Sequence, residues 1–173
     1  GLQNELNTKV AKIPLPTTSN TSAVYVKIAT VNLTSTSSNT AQAIISGTGD
    51  FGGIVKDVAI VSVCGRTTNG TQHIRLLKID KASYNWTIGC GYVKGSNSID
   101  FYLQLNKYNG NSSLIPISGD VAAFNTTLTV ITTKPSGWVD GSVGSVYSDF
   151  NKPTFDITSE GIDAVTDNTL LLT

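Results

Sequence analysis

Residues 98–106 read Ser-Ile-Asp-Phe-Tyr-Leu-Gln-Leu-Asn. Ile99, Phe101, Leu103 and Leu105 share one side of an extended chain, while Asp100, Tyr102 and Gln104 share the other. Successive side chains of a strand point to opposite faces, so this stretch predicts a β-strand with one face in a core and one face wet. The same signature spreads in both directions. Upstream, residues 23–33 (AVYVKIATVNL) are rich in β-branched side chains and carry no helix cap. In residues 53–64 (GIVKDVAIVSVC), Ile54, Val58 and Ile60 face one way and Val55, Ala59, Val61 and Val63 the other. Residues 74–79, 86–93 and 121–132 complete the main set, and a shorter strand fits residues 40–46. Runs rich in Gly, Asn, Ser and Thr separate them, at 35–39, 47–53, 67–70, 95–97 and 108–113. Seven or eight short strands with regular turns and no internal helix predict an all-β fold, an antiparallel β-sandwich.

The two ends depart from this middle. In residues 1–16, Leu6, Val10 and Ile13 are spaced four and then three apart, the seam of a coiled coil. Glu5, Lys9 and Lys12 flank that seam, and Pro14 and Pro16 end the helix because proline lacks the amide donor. So short a helix is marginal alone in water, and its stripe has to be buried. Two readings follow. Residues 1–16 are the end of an oligomeric stalk held through Leu6, Val10 and Ile13, or one amphipathic helix packed on its own domain. From Lys134 the pattern changes again, and residues 151–173 have few aromatics and no clear period. They read as an extended strap on a neighbour or as a tail. The chain thus divides into a stalk end (1–16), a β-sandwich head (17–150) and a C-terminal strap or tail (151–173).

Composition narrows the function. A chain of 173 residues can bury about two thirds of its surface. Its formal net charge is zero and charged residues are sparse, which argues against nucleic acid, since phosphate binding needs a basic field. Ser, Thr and Asn make up roughly a third of the chain, a surface that is polar without being charged. No apolar run approaches the ~20 residues that span a membrane, and no signal-peptide pattern is present. The sequence holds no methionine, which together with the stalk-like start suggests a piece of a longer protein. Cys64 and Cys90 fall in expected strands and either pair or remain two buried thiols.

Catalysis gains little from the residues. The one histidine, His73, lies in or beside a strand with no nucleophile at a recognisable spacing. Glycoside hydrolysis needs two carboxyl groups flanking the bond. Glu5 and Glu160 fall in the stalk and the tail, and Asp57 and Asp100 suit the wet face of a sheet. No Cys/His spacing suits a metal, and the glycines of GTGDFGG (47–53) are not followed by Gly-Lys-Ser/Thr. The expectation is a protein that is not an enzyme and needs neither cofactor nor metal. Six Asn-x-Ser/Thr triplets begin at Asn20, Asn32, Asn69, Asn85, Asn111 and Asn125, which chance explains in so Asn-, Ser- and Thr-rich a chain. Aromatics beside polar groups are the remaining binding signal, because sugars stack on flat rings and hydrogen-bond to neighbouring amides and hydroxyls. Tyr84-Asn85-Trp86, Tyr92-Val93-Lys94, Tyr108-Asn109 and Trp138 fit that description.

Taken in order, the stalk, AVYVKIATVNL, GTGDFGGIVKDVAIVSVCGR, SIDFYLQL and TTKPSGW resemble the C-terminal receptor-binding head of tailed-bacteriophage tail fibres. The resemblance covers roughly residues 24–138 and rests on pattern and order. It implies a homotrimer of β-sandwich heads at the exposed tip of a virion tail fibre, joined to the rest of the fibre. Such heads bind a bacterial surface glycan or an outer-membrane protein without cleaving it, so no catalytic residue carries over. With strands running alternately away from and toward the stalk, the distal loops are 35–39, 66–70, 95–97 and 135–138. The stalk-side loops are 48–52, 81–84 and 108–118. The receptor contacts expected from this count are Arg66, Asn69, Lys94, Asn97 and Trp138. Two alternatives remain, a secreted or cell-surface monomeric glycan-binding domain with a disulfide and N-glycans, and a structural virion fibre module.

Overall fold

A computed structural model describes residues 12–18, 22–33, 39–48, 57–66, 72–79, 88–106, 109–119 and 123–145. Among them are eleven strands and two sheets. They are β1 (Ile13–Pro14), β2 (Val24–Asn32), β3 (Asn39–Thr48), β4 (Asp57–Gly65), β5 (Gln72–Lys78) and β6 (Ile88–Lys94). The chain continues through β7 (Ser98–Leu105), β8 (Gly110–Gly119), β9 (Phe124–Ile131), β10 (Trp138–Asp140) and β11 (Ser142–Ser145). The first sheet has the order β1-β8-β3-β4-β5-β11 and the second β10-β6-β7-β2-β9. All pairs are antiparallel except β11 on β5.

The core lies between the two sheets. β7 behaves as its alternation demands: Ile99, Phe101, Leu103 and Leu105 are all at most 1% exposed. Facing them from the first sheet are Ala41, Ala43, Ile45, Ala59, Val61, Val63, Ile74, Leu76 and Leu114. Each large side chain so buried stabilises by about 1.5–3 kcal/mol. In β2 the register slips between Lys27 and Ala29. That bulge turns both Ile28 and Ala29 into the core, at 0% exposure.

The two open sides of the sandwich are closed differently. On one side Gly141 carries the chain directly from β10 in the second sheet to β11 in the first. Its backbone runs so close to Ile74 and Cys90 that a Cβ would come within 2.6 Å of both side chains. On the other side β1 pairs with β8, and Leu15 donates its amide to Ser112 at 2.9 Å. Thr18 hydrogen-bonds to the Asn106 carbonyl at 2.6 Å and receives the Asn109 amide at 2.8 Å. Asn109, 3% exposed, also donates from Nδ2 to the Pro16 carbonyl.

Four strands were not expected from the sequence: β1, β8, β10 and β11. β8 begins Gly-Asn-Ser-Ser and contains Pro116, and residues 108–118 therefore read as a loop. β3 recruits it all the same. Pro116 pairs with Ala43 beside a bulge, past the two residues that β1 covers, where a missing amide does no harm. Ile13 is a second correction. Expected on a helical seam, it stands opposite Leu114 in β1 and is 5% exposed in the core of its own chain. The reason is Pro14, which pushes the preceding residue into extended geometry. Leu6 and Val10 lie outside the described residues, as do residues 146–173 and hence the C-terminal strap or tail. Cys64 and Cys90 are both free thiols.

Candidate functional site

Register fixes which turns share an end of the sandwich. Thr18 and the start of β2 lie at one end, with the close of β7. At the opposite end, Asn32 pairs with Ser98, Lys94 with Ile99, and Gly65 with both Asn39 and Gln72. There Leu33 donates its amide to the Asn97 carbonyl at 2.7 Å, and Gly95 donates to the Ser98 carbonyl at 2.8 Å. The sheets pinch together at this end, since a Cβ on Gly65 would stand 2.9 Å from Val31 and 3.3 Å from Ile99. Arg66, Lys94 and Asn97 are therefore brought to one end, all exposed. Asn69 lies outside the described residues. Trp138 is not in a loop but opens β10 opposite Val93, one residue from Lys94.

The side chain of Trp138 lies on the outer face of the second sheet. β9 and β10 form opposite edges of that sheet, so residues 132–137 carry the chain from one edge to the other. The indole then comes down over β6, β7 and β2. Its ring meets Tyr25 edge-on at 5.3 Å between centroids and Tyr102 at 5.9 Å. β6 makes room for it: a Cβ on Gly91 would overlap the indole. Tyr102 sits on the wet face by its position in β7, yet Trp138 helps hold it at 6% exposure. Burial and the nearby charge of Asp100 push the Tyr102 phenol above its usual pKa.

Polar groups surround these rings. The indole Nε1–H donates to Asp140 Oδ1 at 2.6 Å. Lys134 sits 5.5 Å over the Trp138 ring centroid and 3.7 Å from Asp140. One strand further on, Thr30 donates to Asp100 at 2.7 Å and Lys27 reaches the same carboxylate at 3.6 Å. These ion pairs are partly or largely exposed and add little stability, on the order of 0–1 kcal/mol each. The half-buried rings of Tyr25 and Trp138, packed over the buried Tyr102 and edged by a hydroxyl and paired charges, form a surface on which a sugar can stack and hydrogen-bond. Tyr25 and Tyr102 were missed as members of this cluster. Their wet-face positions were legible in the strand pattern, but nothing in the sequence pairs them with Trp138.

The other groups weighed for chemistry stand apart. His73 faces Cys64 across β4 and β5 on the first sheet. Burial, and then the positive charge of Arg75, lower the His73 pKa. Cys90 points into the core toward the carbonyls of Ile74 and Ser142, and burial followed by the charge of Asp140 pushes its thiol up to about 12. Among the described residues, no three His, Cys, Asp or Glu side chains gather as metal ligands would.

No protein-family model matches the sequence, and no curated protein does. A solved structure that this chain resembles over part of its length is WceF of Pantoea stewartii, described as a glycan biofilm modifying enzyme with a bacteriophage tailspike-like parallel β-helix fold. The two agree with a TM-score of 0.51 and 12% identity, over 77% of this chain and 22% of that one. At that identity the likeness concerns the fold, and this chain spans about a fifth of that protein's length. This chain is similar to one part of a tailspike-like protein.

Proposed function

We propose that this chain is a non-enzymatic receptor-binding head, carried at the exposed tip of a phage tail fibre, that binds a bacterial surface glycan. The observation that carries the reading is the aromatic surface of Tyr25, Tyr102 and Trp138, whose Trp138 adjoins the end that bears Arg66, Lys94 and Asn97. The likeness to a piece of a tailspike-like protein supports the phage context. In this reading three chains assemble through the segment before β1, with Leu6 and Val10 in the seam. Ile13 belongs to the head instead. Three weak contacts on one rigid assembly give avidity, so a single head need not bind tightly.

One observation favours a second reading, a glycan-binding domain that works as a monomer. The structure uses Ile13 within its own chain, which shortens the seam available to a stalk. Light scattering on the full chain distinguishes the two, a trimer mass supporting the fibre tip and a monomer mass the second reading. The binding itself is tested by labelling intact bacteria from several genera with the fluorescent chain, before and after protease treatment of the cells. Labelling that survives the protease and is competed by extracted surface polysaccharide is the expected result. Labelling abolished by the protease would move the receptor to an outer-membrane protein.

A further inference from the structure

The outer face of the first sheet is laid out in rows. Register places Ile115, Ile44, Ile60 and Leu77 side by side across β8, β3, β4 and β5, an apolar row ending at Gly144 of β11. Two residues along β3, β4, β5 and β11, and three along β8 across its register shift, runs a polar row of Ser118, Gln42, Ser62, Arg75 and Ser142. Where the rows cross β4, β5 and β11 there is a groove of about 480 Å³, lined among others by Gln42, Ile60, Ser62, Arg75, Leu77 and Ser142. That volume is within the range of small-molecule sites, roughly 300–1,000 Å³.

The polar row is hydrogen-bonded so that its free groups are donors. The Ser118 hydroxyl donates to Gln42 Oε1 at 2.9 Å, which fixes the amide with Nε2 toward β4. Nε2 in turn donates to the Ser62 hydroxyl at 3.1 Å, leaving that hydroxyl's own proton to give away. Arg75 is exposed, and the ion pairs of Lys27 with Asp100 and of Lys134 with Asp140 both lie on the side of the other sheet. Among the described residues, no carboxylate lines the groove. A guanidinium with a planar fork of donors, one strand from a hydroxyl donor and two from an amide, matches a carboxylate flanked by hydroxyls. Ile60 and Leu77 supply the apolar floor on which the C–H face of a ring can rest.

We propose that this groove binds an acidic sugar, with Arg75 taking the carboxylate and Ser62 and Gln42 the adjacent hydroxyls. The assignment rests on the receptor-binding reading and names the class of glycan it takes. His73, two residues along β5, is the chain's one histidine and already senses the Arg75 charge, so it reports on the site.

The test is an NMR titration of the full chain with oligosaccharides carrying glucuronic or galacturonic acid, with their carboxyl-reduced forms, and with a glutamate-bearing peptide. The acidic sugars should bind, raise the His73 pKa by offsetting the Arg75 charge, and lose about tenfold or more in affinity in Arg75→Gln, as expected for one charge-assisted contact. The reduced sugars should bind at least about tenfold more weakly on the same grounds. Thermal unfolding of Arg75→Gln at the wild-type temperature excludes a folding defect. Acidic and reduced sugars binding alike, no response at His73 to any acidic sugar at millimolar concentration, or an equal response to the peptide would each overturn the assignment. Bacterial labelling unchanged in Arg75→Gln would overturn the groove and leave the receptor reading standing. Groove binding by a chain that labels no bacterium would do the reverse.

Discussion

Gly91 and Trp138 share a single side-chain position. The glycine of β6 leaves the outer face of its sheet bare, and the indole fills that space so closely that a Cβ would overlap it. Gly91→Ala should therefore lift the ring off Tyr25 and Tyr102 and destabilise the head by about 1–3 kcal/mol. The indole N–H resonance of Trp138 and chemical denaturation together check this. An unchanged resonance with unchanged stability would mean that the ring is not held there.

Removing the cover has a consequence for ionisation. Trp138→Ala should bring the Tyr102 phenol back toward its ordinary pKa, because burial is the first cause of its elevation and Asp100 the second. The sign follows from linkage: a phenol whose pKa is raised in the folded state stabilises the fold below the unfolded value. That contribution is lost as pH climbs through the folded value. Spectrophotometric titration should show a late-titrating tyrosine in the wild type that titrates earlier in Trp138→Ala.

The two thiols should separate by reactivity. Cys64 is half-buried on the outer face of the first sheet, while Cys90 is 4% exposed with its pKa pushed up to about 12. The thiolate is the reactive form, so an alkylating reagent near neutral pH should label one cysteine in the folded protein and two after unfolding. By the same linkage, the Cys90 contribution to stability is complete below the ordinary value of 9.0 and lost as pH rises toward about 12. Comparing the alkaline stability of Cys90→Ala with wild type checks it, and the difference between them should shrink across that window.

How much of this was legible depended on whether one strand could be read without its neighbours. β7 could, because Ile99, Phe101, Leu103 and Leu105 carry the period of a half-buried strand on their own. β8 could not, since its pairing comes from β3 and its own residues advertise a turn. Ile13 misled for a related reason. Spacings of four and three over so few residues fit a helix, but Pro14 sets the local backbone. The turn count put Arg66 and residues 95–97 at the end away from Thr18, where the register also brings them, because the missed β8 comes later in the chain. The Tyr25–Tyr102–Trp138 cluster depends on how residues 132–137 cross the sheet, which no local pattern encodes. Nor did the sequence reveal the rows on the first sheet, which exist only once five strands are in register.

The segment 12–18 should be held by polar contacts as much as by Ile13. Asn109 is buried; its backbone pairs with Thr18, and its side-chain Nδ2 donates to the Pro16 carbonyl and the Ser112 hydroxyl. Asn109→Ala should cost about 1–3 kcal/mol by leaving buried partners unmet, with hydrogen exchange accelerating at the Leu15 and Thr18 amides. Protection unchanged at those amides would mean that β1 alone fixes the segment.

The proposed function requires the chain to bind a surface glycan and leave it intact. Surface polysaccharide from a bacterium that the chain labels, incubated with the chain and then resolved by size-exclusion chromatography with light scattering, tests both halves together. The predicted result is that protein and polysaccharide elute together and that the polysaccharide keeps its molar mass after prolonged incubation. Polysaccharide that elutes apart from the protein, or that shortens with time, would contradict it.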